Sequence, residues 1–363
     1  TLYLSLELAT VCSYVLVGIT VDKPKSNEAA IKYFLLGSFA SALFLYGIAL
    51  AYGATGSTDF GSIARHLSAT SLAMDPLLAM GAVLMAAGLA FKIAAVPFHA
   101  WAPDVYQNAP TPAAAWIATG SKIAATVLLV TLLKPAIEAP EGSPLRLPLG
   151  VALSGLAVVA MIGGNLAALR QTNLKRLLAY SAIANAGYLL VGLVAFSNDG
   201  RAATLFYVLV YSMATLGAFS VVSLIGGRLG RDAEIDDFRG CWKTMPGLAG
   251  LMFLFILSLA GIPPLAGFIG KYYLFFSAIQ SHTDISSWSE GWYWLVTLAL
   301  VMSVVSLYYY LRVLKAFLVF DEEDRPEVEI NPVVRMALII LALSVIGLGL
   351  FPQPVLDIFI AAS

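Results

Sequence analysis

Three lysines interrupt apolar stretches of this sequence: Lys92, Lys122 and Lys271. An unpaired charge at the bilayer centre costs about 3 kcal/mol on insertion scales, so a chain that keeps several of them usually uses them. A buried lysine whose charged surroundings change can take up and release a proton near neutral pH. The three lysines therefore predict a proton relay. Glu7 is a fourth charge in an apolar stretch and a further candidate.

Each of these charges also has a structural explanation. Lys92 could extend its long stem to the membrane edge, and Lys271 could bind carbonyl groups freed by a helix break. Glu7 is interfacial if its helix begins near Thr1, and lies near mid-membrane if the helix begins well before it. Lys122 is near the middle of its apolar stretch and reaches neither edge easily. Three unpaired lysines would cost roughly 9 kcal/mol, which is comparable to the net stability of a whole protein.

Composition defines the class of protein that holds these residues. Hydrophobic residues make up 60% and charged residues 12% of the 363 residues, with a mean hydropathy of +0.84. Soluble domains contain about 25% charged residues, so the sequence predicts an integral membrane protein. A net charge of −1 argues against binding to nucleic acid. The sequence opens at Thr1 inside an apolar stretch, which suggests a fragment or a processed chain rather than a signal peptide.

The residue types also argue against cofactors in this chain. Two cysteines are too few for an iron–sulfur cluster or a cysteine-based zinc site, and the three histidines show no metal-ligand spacing. Neither a phosphate-binding loop nor a dinucleotide fingerprint is evident. We therefore expect no metal, no bound cofactor and no redox centre.

Apolar runs of about 20 residues predict ten transmembrane helices. They lie near 2–21, 29–52, 74–97, 113–134, 146–168, 176–197, 202–226, 246–280, 291–317 and 333–351. The third run ends at Pro97, and the eighth contains Pro263 and Pro264, so both are predicted to be broken helices. Loops after the odd-numbered runs hold most of the lysines and arginines, which places both ends of the chain outside.

An internal repeat relates the two broken helices. YVLVG at 14–18 recurs as YLLVG at 188–192, and the same shift of 174 aligns Tyr33 with Tyr207 in the following runs. The repeat is five runs long, and an odd number inverts the second copy across the membrane. Inverted repeats with broken helices at corresponding places are typical of ion and solute translocation folds.

Four motifs carry a resemblance to a known family over nearly the whole chain. They are FKIAAVPFHAWAPDVYQNAPTP, SKIA, RQTNLKRLLAYSAIANAGY and SLAGIPPLAGFIGKYY. These stretches resemble the antiporter-like membrane subunits of respiratory complex I, and in particular subunit N of bacterial NADH:quinone oxidoreductase. The Mrp-type cation/proton antiporter subunits share the fold. PDVYQ and SKIA are more similar to subunit N than to those relatives.

The resemblance implies a proton-translocating subunit that couples quinone reduction elsewhere in the complex to proton transfer. It implies that Glu7 and Lys92 form a pair in the first repeat, that Lys122 is a central connecting lysine, and that Lys271 belongs to the second repeat. NADH and quinone would be used by the complex as a whole. The implied partners are neighbouring antiporter-like and small hydrophobic subunits and the lipid bilayer, in the inner (cytoplasmic) membrane.

The resemblance also divides the chain. We predict an incomplete first repeat at 1–134, a second, inverted repeat at 146–318 and a C-terminal transmembrane helix at 333–351. The family has further helices ahead of the Glu7 run, and these N-terminal helices are missing from this sequence. Three alternatives stay open: a sodium/proton antiporter subunit, a stand-alone secondary transporter of an organic solute, and a structural scaffold that would tolerate loss of all three lysines.

Overall fold

The computed structural model describes residues 1–69, 75–138, 146–227, 233–280, 292–318 and 330–362. These residues are mostly helical. In chain order the helices are α1 (Leu2–Val17), α2 (Pro24–Thr55), α3 (Phe60–Ala69), α4 (Pro76–Lys92), α5 (Trp101–Asn108), α6 (Thr111–Trp116), α7 (Lys122–Glu138), α8 (Arg146–Leu169), α9 (Leu174–Val194), α10 (Asn198–Gly226), α11 (Cys241–Thr244), α12 (Pro246–Ala260), α13 (Ala266–Gln280), α14 (Tyr293–Leu318), α15 (Pro332–Leu350) and α16 (Gln353–Ala362). A π-helical turn, Ile117–Ser121, joins α6 to α7.

Within the described residues, seven stretches are long and apolar enough to cross a bilayer. They comprise α2, the continuous α6–α7 segment, α8, α9, α10, α14 and α15. The shorter apolar helices α1, α4 and α12 add to them. Each of the ten predicted runs overlaps one of these helices, and the eighth also includes α13. The prediction of an all-α membrane protein with about ten spans is therefore confirmed. The chain is a multi-pass integral membrane protein.

The first helix break lies between α4 and α5. α4 ends at Lys92, earlier than the predicted end at Pro97. Ala94 is in the left-handed region, with φ +59°, which stops the helix before the proline is reached. The indole nitrogen of Trp101, at the start of α5, donates to the carbonyl of Phe91 at 3.0 Å. The two half-helices are therefore tied together across the break.

The second break lies between α12 and α13, where it was predicted. Gly261 ends α12 with φ +82°, a conformation that glycine adopts without steric cost. Gly267, in the first turn of α13, lies against α12 so closely that a Cβ atom there would be 1.8 Å from the carbonyl oxygen of Ser258. Only glycine permits this approach of the two half-helices.

Helix α9 is the centre of the fold. Nearly all of its residues are buried, and it packs against α5, α8, α10, α13 and α14. By contrast, α1, α2 and α15 expose many large apolar side chains. Polar groups on α9 are thus enclosed by protein, whereas the outer helices present surfaces suited to lipid or to neighbouring membrane proteins.

Candidate functional site

The ammonium group of Lys92 lies against α1. Its Nζ atom is 3.3 Å from Oε1 of Glu7, and it donates to Oγ1 of Thr10 at 2.6 Å. The Lys92 side chain is 3% exposed and that of Glu7 is 18% exposed. The structure thus brings together Glu7 and Lys92, the two residues that the resemblance implied as a pair.

Local structure explains why a cation is tolerated at this position. Lys92 is the last residue of α4, and a positive charge at a helix C-terminus interacts favourably with the helix dipole. Thr10 donates its own proton to the carbonyl of Leu6 at 2.8 Å, which leaves its oxygen free to accept from Lys92. The second carboxylate oxygen of Glu7 accepts from the hydroxyl of Ser41 at 2.7 Å. Thr10 and Ser41 were not identified from the sequence.

Lys122 occupies a different environment. It is 2% exposed and follows the π-helical turn of Ile117–Ser121, a type of distortion that is frequent at functional sites. Its Nζ atom donates to the carbonyl of Ala182 on α9 at 2.7 Å and lies 4.8 Å from the ring centre of Tyr211. A carbonyl dipole and the face of an aromatic ring therefore stabilise this ammonium group.

Lys271 reaches back across the second break. Its Nζ atom donates to the carbonyls of Leu259 and Ala260, at 3.3 and 3.2 Å, and to the hydroxyl of Ser303 at 3.1 Å. It also lies 4.9 Å from the ring centre of Tyr188. The two carbonyls belong to the last residues of α12, so the expected contact with the freed end of the helix is present. This contact is compatible with a structural role and with a role in proton transfer.

A second charged cluster lies at the first turn of α5, a helix that is too short to span a bilayer. Asp104 accepts from Arg176 on α9 at 2.7 Å and from Lys32 on α2 at 3.1 Å. Burial alone would raise the pKa of the Asp104 carboxyl, but hydrogen bonds and charges from Arg176 and Lys32 outweigh it and hold the pKa below its ordinary value. The ion pair between Arg176 and Asp104 ties α5 to α9.

The described residues also limit where a metal ion could bind. Within it, no group of three or more histidine, cysteine, aspartate or glutamate side chains is arranged to hold a metal ion. The chemistry of the described site is carried by lysine, carboxylate and hydroxyl groups.

Buried lysines at two helix breaks, inside a multi-spanning helical chain, define an antiporter-like membrane protein. A family model described as NADH:quinone oxidoreductase/Mrp antiporter, transmembrane, matches residues 1–311. This chain belongs to that family.

Individual relatives agree with this assignment. NADH-quinone oxidoreductase subunit N of Desulforamulus reducens is 43% identical over 360 residues, which cover 99% of this chain and 71% of the relative. A chain of respiratory complex I from Thermus thermophilus, solved with bound aureothin, is 38% identical with a TM-score of 0.79, covering 98% of this chain and 74% of that one. A chain of the Mrp complex from Dietzia sp. is similar in fold alone, with a TM-score of 0.84 at 22% identity, covering 99% of this chain and 72% of that one.

Proposed function

We propose that this chain is a proton-translocating membrane subunit of an NADH:quinone oxidoreductase. The relatives at about 40% identity carry that subunit's name over nearly the whole of this chain. The observation that supports translocation is the contact between Lys92 and Glu7 at 3.3 Å, because a buried lysine with a carboxylate partner has a proton affinity that changes whenever the pair is disturbed.

The mechanism starts from that pair. Quinone reduction elsewhere in the complex shifts charge along the membrane arm and changes the interaction between Glu7 and Lys92. Lys92 then passes its proton by way of Lys122 toward Lys271, and water molecules bridge the gaps. Moving one charge against 100 mV costs about 2.3 kcal/mol, and a swing of one to two pKa units in one lysine is worth about 1.4 to 2.7 kcal/mol. The two magnitudes are compatible.

The rest of the complex supplies what this chain lacks. NADH oxidation and quinone reduction take place on other subunits, and this chain contributes no cofactor. Its exposed apolar helices α1, α2 and α15 face lipid and neighbouring membrane subunits, both antiporter-like and small hydrophobic ones. The complex lies in the inner (cytoplasmic) membrane.

Lys92→Met tests the proposal, since methionine keeps much of the stem volume and removes the charge. We expect NADH-driven proton uptake into inverted membrane vesicles to collapse, together with electron transfer to quinone, while the complex still assembles. Wild-type rates of both would overturn the proposed path through this subunit.

A second candidate is a sodium/proton antiporter subunit, because the matching family includes Mrp antiporters and the Dietzia Mrp chain has the same fold. Transport that depends on sodium concentration at constant pH would favour it. We expect no such dependence.

A further inference from the structure

A polar pocket lies where the α1–α2 connection meets the starts of α6 and α9 and the end of α10. It has a volume of about 650 Å³, within the range of about 300–1,000 Å³ that is typical of small-molecule sites. Three lysines line it, Lys23, Lys25 and Lys175, and we call it the lysine pocket. Protein interiors leave few voids larger than a water molecule, so a pocket of this size between helix ends is suited to a ligand.

The lysine pocket is at the cytoplasmic edge of the bilayer. Most of its lining residues come from the connections that follow the first, third, fifth and seventh apolar runs. These connections hold most of the lysines and arginines of the chain, which places them in the cytoplasm. The cytoplasmic leaflet carries anionic lipids, and basic pockets between transmembrane helices on that side bind lipid headgroups.

The three lysines lie at two depths. Lys175 on α9 is 8% exposed, and its Nζ atom donates to the carbonyl of Ala109 at 2.9 Å. Lys23 and Lys25, the rim lysines, are exposed at the start of α2. Asp22 also lines the pocket, so three positive charges and one negative charge leave a net charge of +2 on the described lining residues. The charge of the pocket therefore favours an anion as its ligand.

Hydrogen bonds fix the shape of the α1–α2 connection. The hydroxyl of Thr20 donates to Oγ of Ser26 at 2.8 Å, and the buried hydroxyl of Ser26 donates to the carbonyl of Val17 at 2.6 Å. The side-chain amide of Asn27 donates to the carbonyl of Val21 at 2.8 Å. These bonds hold the rim lysines at the N-terminus of α2, whose partial positive charge adds to theirs.

Exposed apolar side chains belong to the same connection. Ile19 is 59% exposed and Val21 is 73% exposed. They alternate with Thr20 and Asp22, which line the pocket. Exposed aliphatic side chains at the edge of a bilayer mark a surface that contacts lipid. A ligand that matches both surfaces carries a negative charge and hydrocarbon chains, which describes a phospholipid and not a free phosphate ion.

Two simpler roles account for parts of this arrangement. Ala109 is the residue that ends α5, so Lys175 also caps the C-terminus of that helix. The rim lysines also suit a connection that stays in the cytoplasm. Neither role requires that the three lysines surround one cavity, or that apolar side chains are exposed beside it.

We propose that the lysine pocket binds the phosphate group of an anionic phospholipid from the cytoplasmic leaflet. The rim lysines and Lys175 donate hydrogen bonds to the phosphate oxygens, and the acyl chains lie against Ile19 and Val21. The bound lipid joins the α1–α2 connection to α9 and α10. This binding does not depend on proton translocation, so the inference goes beyond the proposed function.

The test uses phosphatidylglycerol with a photoreactive diazirine in its acyl chain, added to the purified complex in phosphatidylcholine nanodiscs. Mass spectrometry should find the cross-linked label on the α1–α2 connection, and unlabelled phosphatidylglycerol should compete with the probe. The double variant Lys23→Gln and Lys25→Gln should lower this labelling about thirtyfold below saturation, because each lysine near a membrane surface contributes a factor of about five. Equal labelling of the double variant and the wild type would overturn the proposal. Competition by inorganic phosphate would also overturn it, because free phosphate would then be the ligand.

Lys243→Gln is the matched control, because Lys243 is an exposed lysine of α11 on the same side of the membrane and outside the pocket lining. Its labelling should stay at the wild-type level.

Lys175→Gln distinguishes lipid binding from the capping of α5. We expect weaker labelling as well as a lower unfolding temperature. Wild-type labelling with lower stability would show that Lys175 only caps the helix, and the proposal would be wrong. Lys92→Met should be labelled like the wild type whatever its effect on pumping, so this proposal and the proposed function fail separately.

Discussion

At the first helix break the lysine faces a carboxylate on another helix, whereas at the second break it faces the carbonyls of its own broken span. Lys92 pairs with Glu7 on α1, and Lys271 binds Leu259 and Ala260 at the end of α12. A carboxylate can lose its charge by taking up a proton, but a backbone carbonyl carries no charge to lose. Under the proposed function, this difference implies that the first lysine responds to a change in its partner, and that the second receives a proton in a fixed environment.

The largest effect is expected from Glu7→Gln, which would break this contrast by giving Lys92 only neutral partners. Removing one member of a buried ion pair costs about 3–5 kcal/mol. We expect proton uptake and quinone reduction to fall at least about tenfold, since about 1.4 kcal/mol already gives that factor. The measurement is NADH-driven proton uptake in inverted vesicles.

Glu28→Gln is the control for this prediction. Glu28 is 62% exposed and pairs with Lys32 one turn along α2. An exposed pair of this kind contributes little, so activity should be unchanged. If Glu7→Gln also leaves activity unchanged, the carboxylate does not distinguish the first break from the second.

Gly267→Ala tests the fixed geometry of the second break. The added Cβ would lie 1.8 Å from the carbonyl oxygen of Ser258, so α12 and α13 must separate. Overpacking of this kind costs about 3 kcal/mol at the upper end of the usual range. We expect less assembled complex and a lower unfolding temperature, measured on the purified complex.

Gly250→Ala supplies the matched control within α12, where a Cβ would meet no atom within 4 Å. It should leave assembly and stability as they are or raise stability slightly, because alanine favours the helix. Equal stability of the two variants would show that the second break is not held rigidly.

The spans and the buried charges could be predicted from the sequence because both depend on local signals. Apolar runs of membrane length identified all ten spans, and a lysine inside such a run stands out without knowledge of its neighbours. Pro263 and Pro264 likewise marked the second break. The first break was placed too late, because the helix stops near Ala94 rather than at Pro97.

The partners of these charges could not be predicted from the sequence. A helix that is apolar on all sides gives no signal for which face is buried, so the sequence did not show that Thr10 faces Lys92 or that Ser303 faces Lys271. A tyrosine in a bundle usually fills space, so nothing in the sequence distinguishes Tyr188 as a partner of a lysine. Its place beneath Lys271 depends on the packing of α9 against α13, two helices far apart in the chain.

Thr10→Val and Ser303→Ala sharpen the comparison, because each removes one hydroxyl acceptor from a lysine. Thr10→Val takes away the 2.6 Å contact to Lys92, and we expect a loss of about 1.5 kcal/mol, or about tenfold in coupled turnover. Ser303→Ala should have a smaller effect, since Lys271 keeps two carbonyl acceptors. Turnover and proton uptake of the two variants, measured side by side, provide the check. A larger effect of Ser303→Ala would mean that Lys271, and not Lys92, is the lysine that responds to a change in its partners.

The smallest effect is expected from Asp104→Asn. This variant weakens the ion pairs that anchor α5 and leaves the charge of Lys92 unchanged. The variant weakens the partly exposed ion pair with Arg176, a contribution of about 1 kcal/mol or less, and the exposed pair with Lys32. The pKa of Asp104 is lower in the folded protein than in the unfolded chain, where an aspartate carboxyl has a pKa of about 4. The carboxylate therefore contributes its full stabilisation above about pH 4, and this stabilisation is lost as the pH falls through the folded-state pKa. The difference in unfolding temperature between wild type and variant should therefore be present at neutral pH and disappear in acid.

Asp236→Asn is the control for this prediction, since Asp236 is 72% exposed and pairs with Arg239 three residues away. It should not change stability at neutral pH. If α5 is only anchored by its ion pairs, Asp104→Asn lowers stability but keeps the ratio of protons moved to electrons transferred. A lower ratio of protons to electrons, in a complex that assembles normally, would mean that movement of α5 is coupled to Lys92. The first break would then differ from the second in the mobility of a helix as well as in the charge that faces its lysine.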